Sequence, residues 1–499
     1  MKVKYILLFI YLFFFSGVQS DTTISFDSDG EGYTLDSDQT IATLTGSGPF
    51  VLSGSLTDKK IIVSSSCTIT LNSLTLSNSG SLTPILISSK QAVELALSGT
   101  STLTDSSSNE NEGTIYLESG ASLTISGTGT LNINPYKMMA INGTDSTSLT
   151  VNDGATINVE SSSSNAGGIY LRTSITFNNS KYTYSCSSGE NHAIDTEGTV
   201  KLIKGTYTLT SGNGKGIQTE NYLYIGEESG SDSDLTLTIT TSNEGIEGKK
   251  IEIYSGTINI KADEDGINAA SSGDDCDETV QCSGNCACYI KFQGGDLTLT
   301  SGEDGLDANG DITISGGQIV VFAATSSENQ PIDQDGLLSI SGGTVLAAGS
   351  SSMNGVSATT TQVAKSYTGS ISSGAKLVAS DSSNNEILSL TTPKAASYLY
   401  FNCPSSFTIT IDGSEISLSD ASSGSQGEQG GPPSDQGSSG EQEGSSSDQG
   451  STTSTSSQTA TSDDDDDDDD DPEIYTTDGF FINRLNIMFI FGLILLLIK

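Results

Sequence analysis

Four turns in the second half of the chain place carboxylates at matching distances from an apolar residue. They read EGIE at 244–247, DEDGIN at 263–268, EDGLDANG at 303–310 and IDQDG at 332–336. Aligned on Ile246, Ile267, Leu306 and Ile332, Asp307 and Asp333 share one position. Asp265 and Asp304, each just before the turn Gly, share a second, and Asn309 and Asp335 a third. Every donor is a hard oxygen, which suits Ca²⁺ better than Zn²⁺. If aligned residues stack about 4.8 Å apart, roughly twice a Ca–O distance of about 2.3–2.6 Å, neighbours can share one ion. Without a cation such a stack repels itself. The expectation is Ca²⁺ held by Asp265, Asp304, Asp307, Asn309, Asp333 and Asp335, the alternative being a solvated acidic edge with staggered side chains.

Tyrosines supply the second chemistry. Tyr116 and Tyr170 occupy the same position after an apolar residue, two repeats apart, and Tyr222, Tyr224 and Tyr254 lie on nearby repeats. Such rings can stack on sugar faces, or they can simply ladder with one another to support strands. The chain has no Trp, which weakens an aromatic platform without abolishing it.

Catalytic bases are scarce. A polyuronate lyase needs Ca²⁺ to acidify the proton beside the sugar carboxylate and an Arg or Lys to remove it. Arg172 is the one Arg before the tail and lies more than three repeats from the acidic turns; Lys249, Lys250, Lys261 and Lys291 are nearer. His192, the sole His, reads as a turn residue. Hydrolysis needs two carboxylates about 5 to 9 Å apart, which too many residues here could supply to single out a pair.

The elements that must position these groups are strands. Nine segments repeat a turn residue, an Ile or Leu, a polar residue and a short Thr/Ile/Ser strand closed by Gly, anchored at Ile115, Ile141, Ile169, Ile194, Ile217, Ile246, Ile267, Leu306 and Ile332. Most anchors are spaced in the twenties, which predicts a parallel β-helix with one coil per period. Alternation at Leu235, Leu237 and Ile239, at Ile258 and Ile260, and at Ile312 and Ile314 marks strands with one dry face. Parallel crossovers are nearly always right-handed. The fold class read from the sequence is therefore all-β, a right-handed, single-stranded parallel β-helix with irregular N-terminal cap coils and a disordered C-terminal stalk. The expected segments are a secretion signal at 1–20, cap and first coils at 21–110, repeated coils at 111–350, terminal coils and capping strands at 351–421, the stalk at 422–479 and an apolar segment at 480–499.

One interval, 39 residues between Ile267 and Leu306, holds an extra loop at 271–289 with Cys276, Cys282, Cys286 and Cys288. Their spacing fits no standard zinc pattern, so two disulfides are expected, consistent with an oxidising compartment. Seven Cys in all leave at least one thiol unpaired or bonded to another chain. Asn142 and Asn178 stand in glycosylation sequons.

Residues 1–20 carry Lys2 and Lys4, an apolar run and small residues before Asp21, the pattern of a secretion signal. From 422 a Gly, Ser, Gln and Glu run leads into nine aspartates at 463–471, which cannot bury a core and reads as an extended spacer. The apolar run 487–498 is short for a span of about 20 residues. It suits a removable glycolipid-anchor signal with Thr477, Asp478 and Gly479 as the attachment region, or a short span with Arg484 snorkelling. The formal net charge of −42, with only 20 Lys and Arg, excludes a nucleic-acid binder that works through phosphate attraction.

Several phrases, in order, carry a resemblance: LSGSLTD at 52–58, Ile62 and Val63, Leu71, Asn72 and Leu74, LTD at 103–105, DGLDANG at 304–310, ITISGG at 312–317, AAGS at 347–350 and NEIL at 385–388. Over about residues 40–411 the chain resembles the secreted carbohydrate-binding β-helix proteins related to polysaccharide lyases. The resemblance implies a right-handed parallel β-helix with calcium in its turns that binds plant or cell-surface polysaccharide. The Cys-rich loop stands where relatives carry a Gly/Ser-rich insertion, and the aspartate stalk and apolar tail are additions.

The reading is a monomeric, calcium-stabilised, cell-surface protein that binds polysaccharide, cellulose-like or polyuronate, through Tyr116, Tyr170, Tyr222, Tyr224 and Tyr254, and meets the membrane through its C-terminal tail. The alternatives are a calcium-dependent pectate-type lyase and a non-catalytic adhesin or coat protein.

Overall fold

The computed structural model describes residues 21–106, 112–161, 163–186, 188–228, 234–241, 243–270, 276, 286–326, 328–350 and 355–422. All lie within one structural unit, residues 1–427. The expected secretion signal, most of the stalk and the apolar tail fall outside the described residues.

The described chain is all-β, a parallel β-solenoid of about 12 turns. Each coil adds one strand to each of three parallel sheets. The first, here the anchor sheet, aligns Ile61, Ile85, Ile115, Ile141, Ile169, Ile194, Ile217, Ile246, Ile267, Leu306 and Ile332 in one unbroken inward column. All nine anchors read from the sequence are in it. The middle sheet includes Thr199–Leu202, Tyr289–Phe292 and Asp311–Ile314, and the third sheet includes Leu235–Thr241, Thr257–Ala262 and Asp296–Thr300.

Alternation decides what each strand buries. Leu235, Leu237 and Ile239 point inward while Thr236, Thr238 and Thr240 point out, and they sit over Ile258 and Ile260 of the next coil. Each fully buried Ile or Leu contributes about 1.5–3 kcal/mol relative to exposure. Where aliphatic residues give way to rings, Phe177, Tyr182 and Tyr207 fill the interior with centroids 5.4 and 5.5 Å apart. The buried Tyr182 hydroxyl donates to the Ala193 carbonyl at 2.9 Å, so its polar end is satisfied.

The Gly that precedes the anchor in the acidic turns has a steric cause. A Cβ on Gly245 would lie 2.5 Å from the Gly266 carbonyl oxygen, one on Gly266 2.7 Å from that of Gly305, and one on Gly305 2.4 Å from that of Pro331. The same carbonyls accept the backbone N–H of Ile246, Ile267 and Leu306. The coils close tightly here because no side chain intervenes.

The stack begins before the repeated phrase does. Strand Cys67–Asn78 serves two sheets, pairing Cys67 with Val93 and Thr75 with Thr102. At the N-terminal end Tyr33–Leu35 folds back antiparallel on Ile41–Leu44. At the other end Ala396–Cys403 runs antiparallel against Thr344–Gly349, the last strand of the third sheet. A separate antiparallel sheet of Lys376–Asp381, Glu386–Thr391, Phe407–Ile411 and Ser414–Glu415 encloses its own core with Phe322, Leu377, Leu399 and Phe401. Lys394 ties this region to the coils by donating to the Ser301 carbonyl at 2.6 Å.

Candidate functional site

Strand Ile217–Ile225 begins in the anchor sheet and, after a register shift between Thr219 and Tyr222, ends in the middle sheet. Beyond the shift, Tyr222 and Tyr224 both point outward. On the next coil the alternation of KKIEIY at 249–254 puts Lys250, Glu252 and Tyr254 on that face. The register produces two parallel columns, Thr199, Tyr222, Lys250, Tyr289, Asp311 and Lys201, Tyr224, Glu252, Lys291, Thr313.

Three of the tyrosines expected to bind sugar are brought together here. The rings of Tyr222 and Tyr224 are stacked at 5.5 Å with 5° between planes, and those of Tyr224 and Tyr254 at 6.3 Å and 12°. Lysines lie over the rings: Lys250 on Tyr222 at 4.7 Å, Lys201 on Tyr224 at 5.4 Å and Lys291 on Tyr289 at 3.9 Å. An open cleft of about 620 Å³ is lined by Lys201, Tyr224, Glu227, Glu228, Glu252 and Tyr254, among others.

Glu252 organises the face. It accepts the hydroxyls of Tyr254 at 2.5 Å and Tyr289 at 2.6 Å and lies 3.7 Å from the Lys291 ammonium. Burial alone would raise its pKa, but these donors outweigh burial and hold the carboxylate below its ordinary range. The phenols of Tyr254 and Tyr289 are pushed up, first by burial and then by Glu252. Sequence reasoning missed Tyr289, Lys201 and Glu252 as members of this face. Tyr289 stands at the end of the expected loop 271–289, but the period-two pattern of YIKF at 289–292 marks a strand.

Tyr116 and Tyr170 lie elsewhere, on the outer face of the anchor sheet. Their column reads Leu86, Tyr116, Asn142, Tyr170, Asp195, Gln218, Glu247, Asn268, Asp307, Asp333. The Arg172 guanidinium lies 5.2 Å from the Tyr170 ring centroid and pairs with Glu197. Further along, Lys215 bridges Glu244 at 3.1 Å and Glu247.

The acidic turns stack as the sequence spacing requires. Asp307 pairs directly with Asp333, and Asn309 and Asp335 follow in the same register. Asp265 and Asp304 share the second column, but each carboxylate is turned to the next coil's backbone. Asp265 accepts the Asp304 N–H at 2.8 Å and Asp304 accepts that of Gln330. Asn309 donates to the Cys276 carbonyl at 3.4 Å. Burial and then neighbouring carboxylates push Asp307 up to about 8. Asp265 rises to about 7 and Asp304 to about 6, both chiefly through burial. Among the described residues, no three His, Cys, Asp or Glu side chains converge into a ready metal centre. The crowding around Asp307 is what a cation would relieve; the backbone bonds of Asp265 and Asp304 are a second way of neutralising the same column.

His192, one residue before Ala193 at the matching turn, uses Nδ1 to accept the Lys215 N–H at 2.9 Å. Burial, then the Lys215 charge, lowers its pKa to about 4, so it is neutral and an acceptor. In the Cys-rich loop Cys276 and Cys288 form a disulfide with Cα atoms 5.7 Å apart; Cys286 is disulfide-bonded as well, and Cys282 lies outside the described residues. Cys67, Cys186 and Cys403 are free and buried. Of the two sequon asparagines, Asn178 donates to Asn152 at 3.2 Å, and Asn142 is 7% exposed between Tyr116 and Tyr170.

A family model described as carbohydrate-binding domain-containing protein matches residues 37–231 and 231–387. No curated protein and no solved structure matches the chain.

Proposed function

Because the chain belongs to the carbohydrate-binding domain-containing protein family, we propose that it binds an extended polysaccharide on the outer face of the middle sheet, with Tyr222, Tyr224, Tyr254 and Tyr289 as the stacking surface. The observation that carries this is the continuous stack of Tyr222, Tyr224 and Tyr254 beside an open cleft. Rings held in place by their neighbours offer apolar surface along the cleft at little entropic cost, and a pyranose offers C–H groups to match it. Lys201, Lys250 and Lys291 add positive charge to a chain that is otherwise strongly acidic, which favours a glycan bearing carboxylates. A neutral, cellulose-like chain would use the tyrosines without the lysine charges.

Binding without chemistry is the reading adopted. The lysines of this face are occupied with rings and Glu252, Lys250 also donating to the Tyr222 hydroxyl at 3.2 Å. Calcium belongs to the proposal as a stabiliser of the acidic column, through Asp307, Asp333 and Asp335, and not as a sugar contact. The secretion-type segment at 1–20 and the apolar segment at 480–499 support a place outside the cell, at its surface.

The test is retention of the full chain on insoluble cellulose and on polygalacturonate, with calcium and with chelator, while ultraviolet absorbance follows any unsaturated product. Retention with flat absorbance supports the binder. Rising absorbance makes the protein a lyase, and absence of retention on both polymers rejects the middle-sheet site for these glycans.

A further inference from the structure

We infer that the anchor sheet carries a second glycan-binding site, a slot in which Tyr116 and Tyr170 flank the carboxamide of Asn142 and which takes one pyranose unit of a polysaccharide. It rests on the carbohydrate reading of the family but not on the tyrosine face of the middle sheet.

Register sets the geometry. Tyr116, Asn142 and Tyr170 are direct neighbours on three successive strands, all on the outward side. At a strand spacing of about 4.8 Å the two tyrosines stand about 9.6 Å apart at their Cα atoms. Asn142, the shorter side chain, forms the floor between them.

The floor is not engaged by the protein itself. Asn142 is 7% exposed, and among the described residues its carboxamide makes no hydrogen bond. Outward asparagines elsewhere on the solenoid do not behave this way: Asn158 donates to Asn132 at 2.9 Å and Asn178 to Asn152 at 3.2 Å. Those asparagines stack on asparagines of the preceding coil, whereas Asn142 has tyrosines on both sides. The Tyr170 hydroxyl is directed to Glu197 at 3.3 Å, and its ring is fixed by Arg172. With no side-chain or backbone partner among the described residues for its donor or its acceptor and a tyrosine on each side, the Asn142 amide is free to recognise a sugar hydroxyl. A sugar supplies C–H faces for the rings and hydroxyls that both donate to and accept from the amide.

The sequon at Asn142 points the other way, toward a covalent glycan on the same nitrogen. A glycosylated Asn142 would need its amide clear of both rings, so attachment and slot exclude each other. With a second site on a different sheet, one molecule could hold two polysaccharide chains at once.

Calorimetric titration of the full chain with a soluble β-1,4-glucan oligosaccharide, and separately with an oligogalacturonate, tests this. Two sites per chain are expected for at least one probe. Asn142→Ala should remove one and weaken it at least about tenfold, while Tyr224→Ala removes the other. Tyr170→Phe should retain the slot and Tyr170→Leu should lose it, which keeps the test decisive if Asn142→Ala fails to fold. Wild-type stoichiometry in a folded Asn142→Ala or Tyr170→Leu variant overturns the slot and leaves the middle-sheet reading intact. Silence of Tyr224→Ala together with loss in Asn142→Ala does the reverse. A glycan found on Asn142 by peptide mass overturns the slot, and no binding of either probe rejects both sites.

Discussion

Nδ1 of His192 and Oδ1 of Asp265 occupy equivalent places three coils apart, and each accepts the backbone N–H of the residue above it, at 2.9 and 2.8 Å. An imidazole and a carboxylate thus perform one structural task, closing the corner before the anchor. Their opposite charge chemistry makes the corner respond to pH in opposite directions.

His192 folds with a pKa of about 4 against an unfolded value near 6.5, so its share of stability is full above about pH 6.5 and is lost as pH falls through 4. Asp265, Asp304 and Asp307 are raised to about 7, 6 and 8, so their share is full below about pH 4 and is lost as pH rises through those values. Three groups outweigh one. In chelator the melting temperature should fall by a few degrees between pH 5 and pH 8, and Asp307→Asn should flatten that slope. A melting temperature that rises over this range in the absence of cations would contradict the assignment.

Calcium should act on the same slope. If Asp307, Asp333 and Asp335 hold the ion, millimolar Ca²⁺ added at pH 8 should restore most of the lost melting temperature, and Asp333→Asn should abolish that response. Equal melting curves with and without calcium at pH 8 would remove calcium from the account.

Glu252→Gln should be visible without any ligand. Tyr254 and Tyr289 are raised by burial and by Glu252, so deleting the charge should make two phenols ionise at lower pH, seen in the ultraviolet tyrosinate band. An unchanged titration would mean that burial alone holds them.

For the tyrosine stack, Tyr224→Ala removes the ring shared by both contacts and should weaken polysaccharide retention by about tenfold or more, equivalent to about 1.4 kcal/mol. Tyr136→Ala, an exposed ring in neither column, should leave retention unchanged. Equal retention in the two variants would move the site elsewhere.

Gly266→Ala tests the corner sterically. Its Cβ would meet the Leu299 methyls at 2.4 Å and the Gly305 carbonyl at 2.7 Å, and overpacking of this kind costs about 1–3 kcal/mol. Denaturant unfolding reads the loss directly.

The solenoid was legible because its anchors are inward residues, and inward residues must be apolar at a fixed register. The columns Asp307 over Asp333 and Asp265 beside Asp304 followed from the same register. What those carboxylates touch did not, since a hydrogen bond from Asp304 N–H to Asp265 depends on turn geometry and not on spacing. The tyrosine face was read in part. Tyr222 and Tyr224 alternate in plain view, but Tyr289 becomes their neighbour only because the Cys-rich loop leaves the coil after Ala269 and returns at the next strand. The first coils lack the repeated phrase, yet Ile61 and Ile85 stand in line with Ile115, held by pairing that sequence similarity between repeats does not reveal.

Strand Ala396–Cys403 runs against the direction of every coil before it. A stack of like coils is its own template, and an uncovered last rung would accept the first rung of another copy indefinitely. Here Ala396–Cys403 is followed by Val363–Ile371 on its other edge, and Ser419–Asp420 pairs with that strand in turn, so the last rung is covered. The array is therefore finite, and its length is set by the encoded count of repeats, so that inserting or deleting a coil would lengthen or shorten it by a single step.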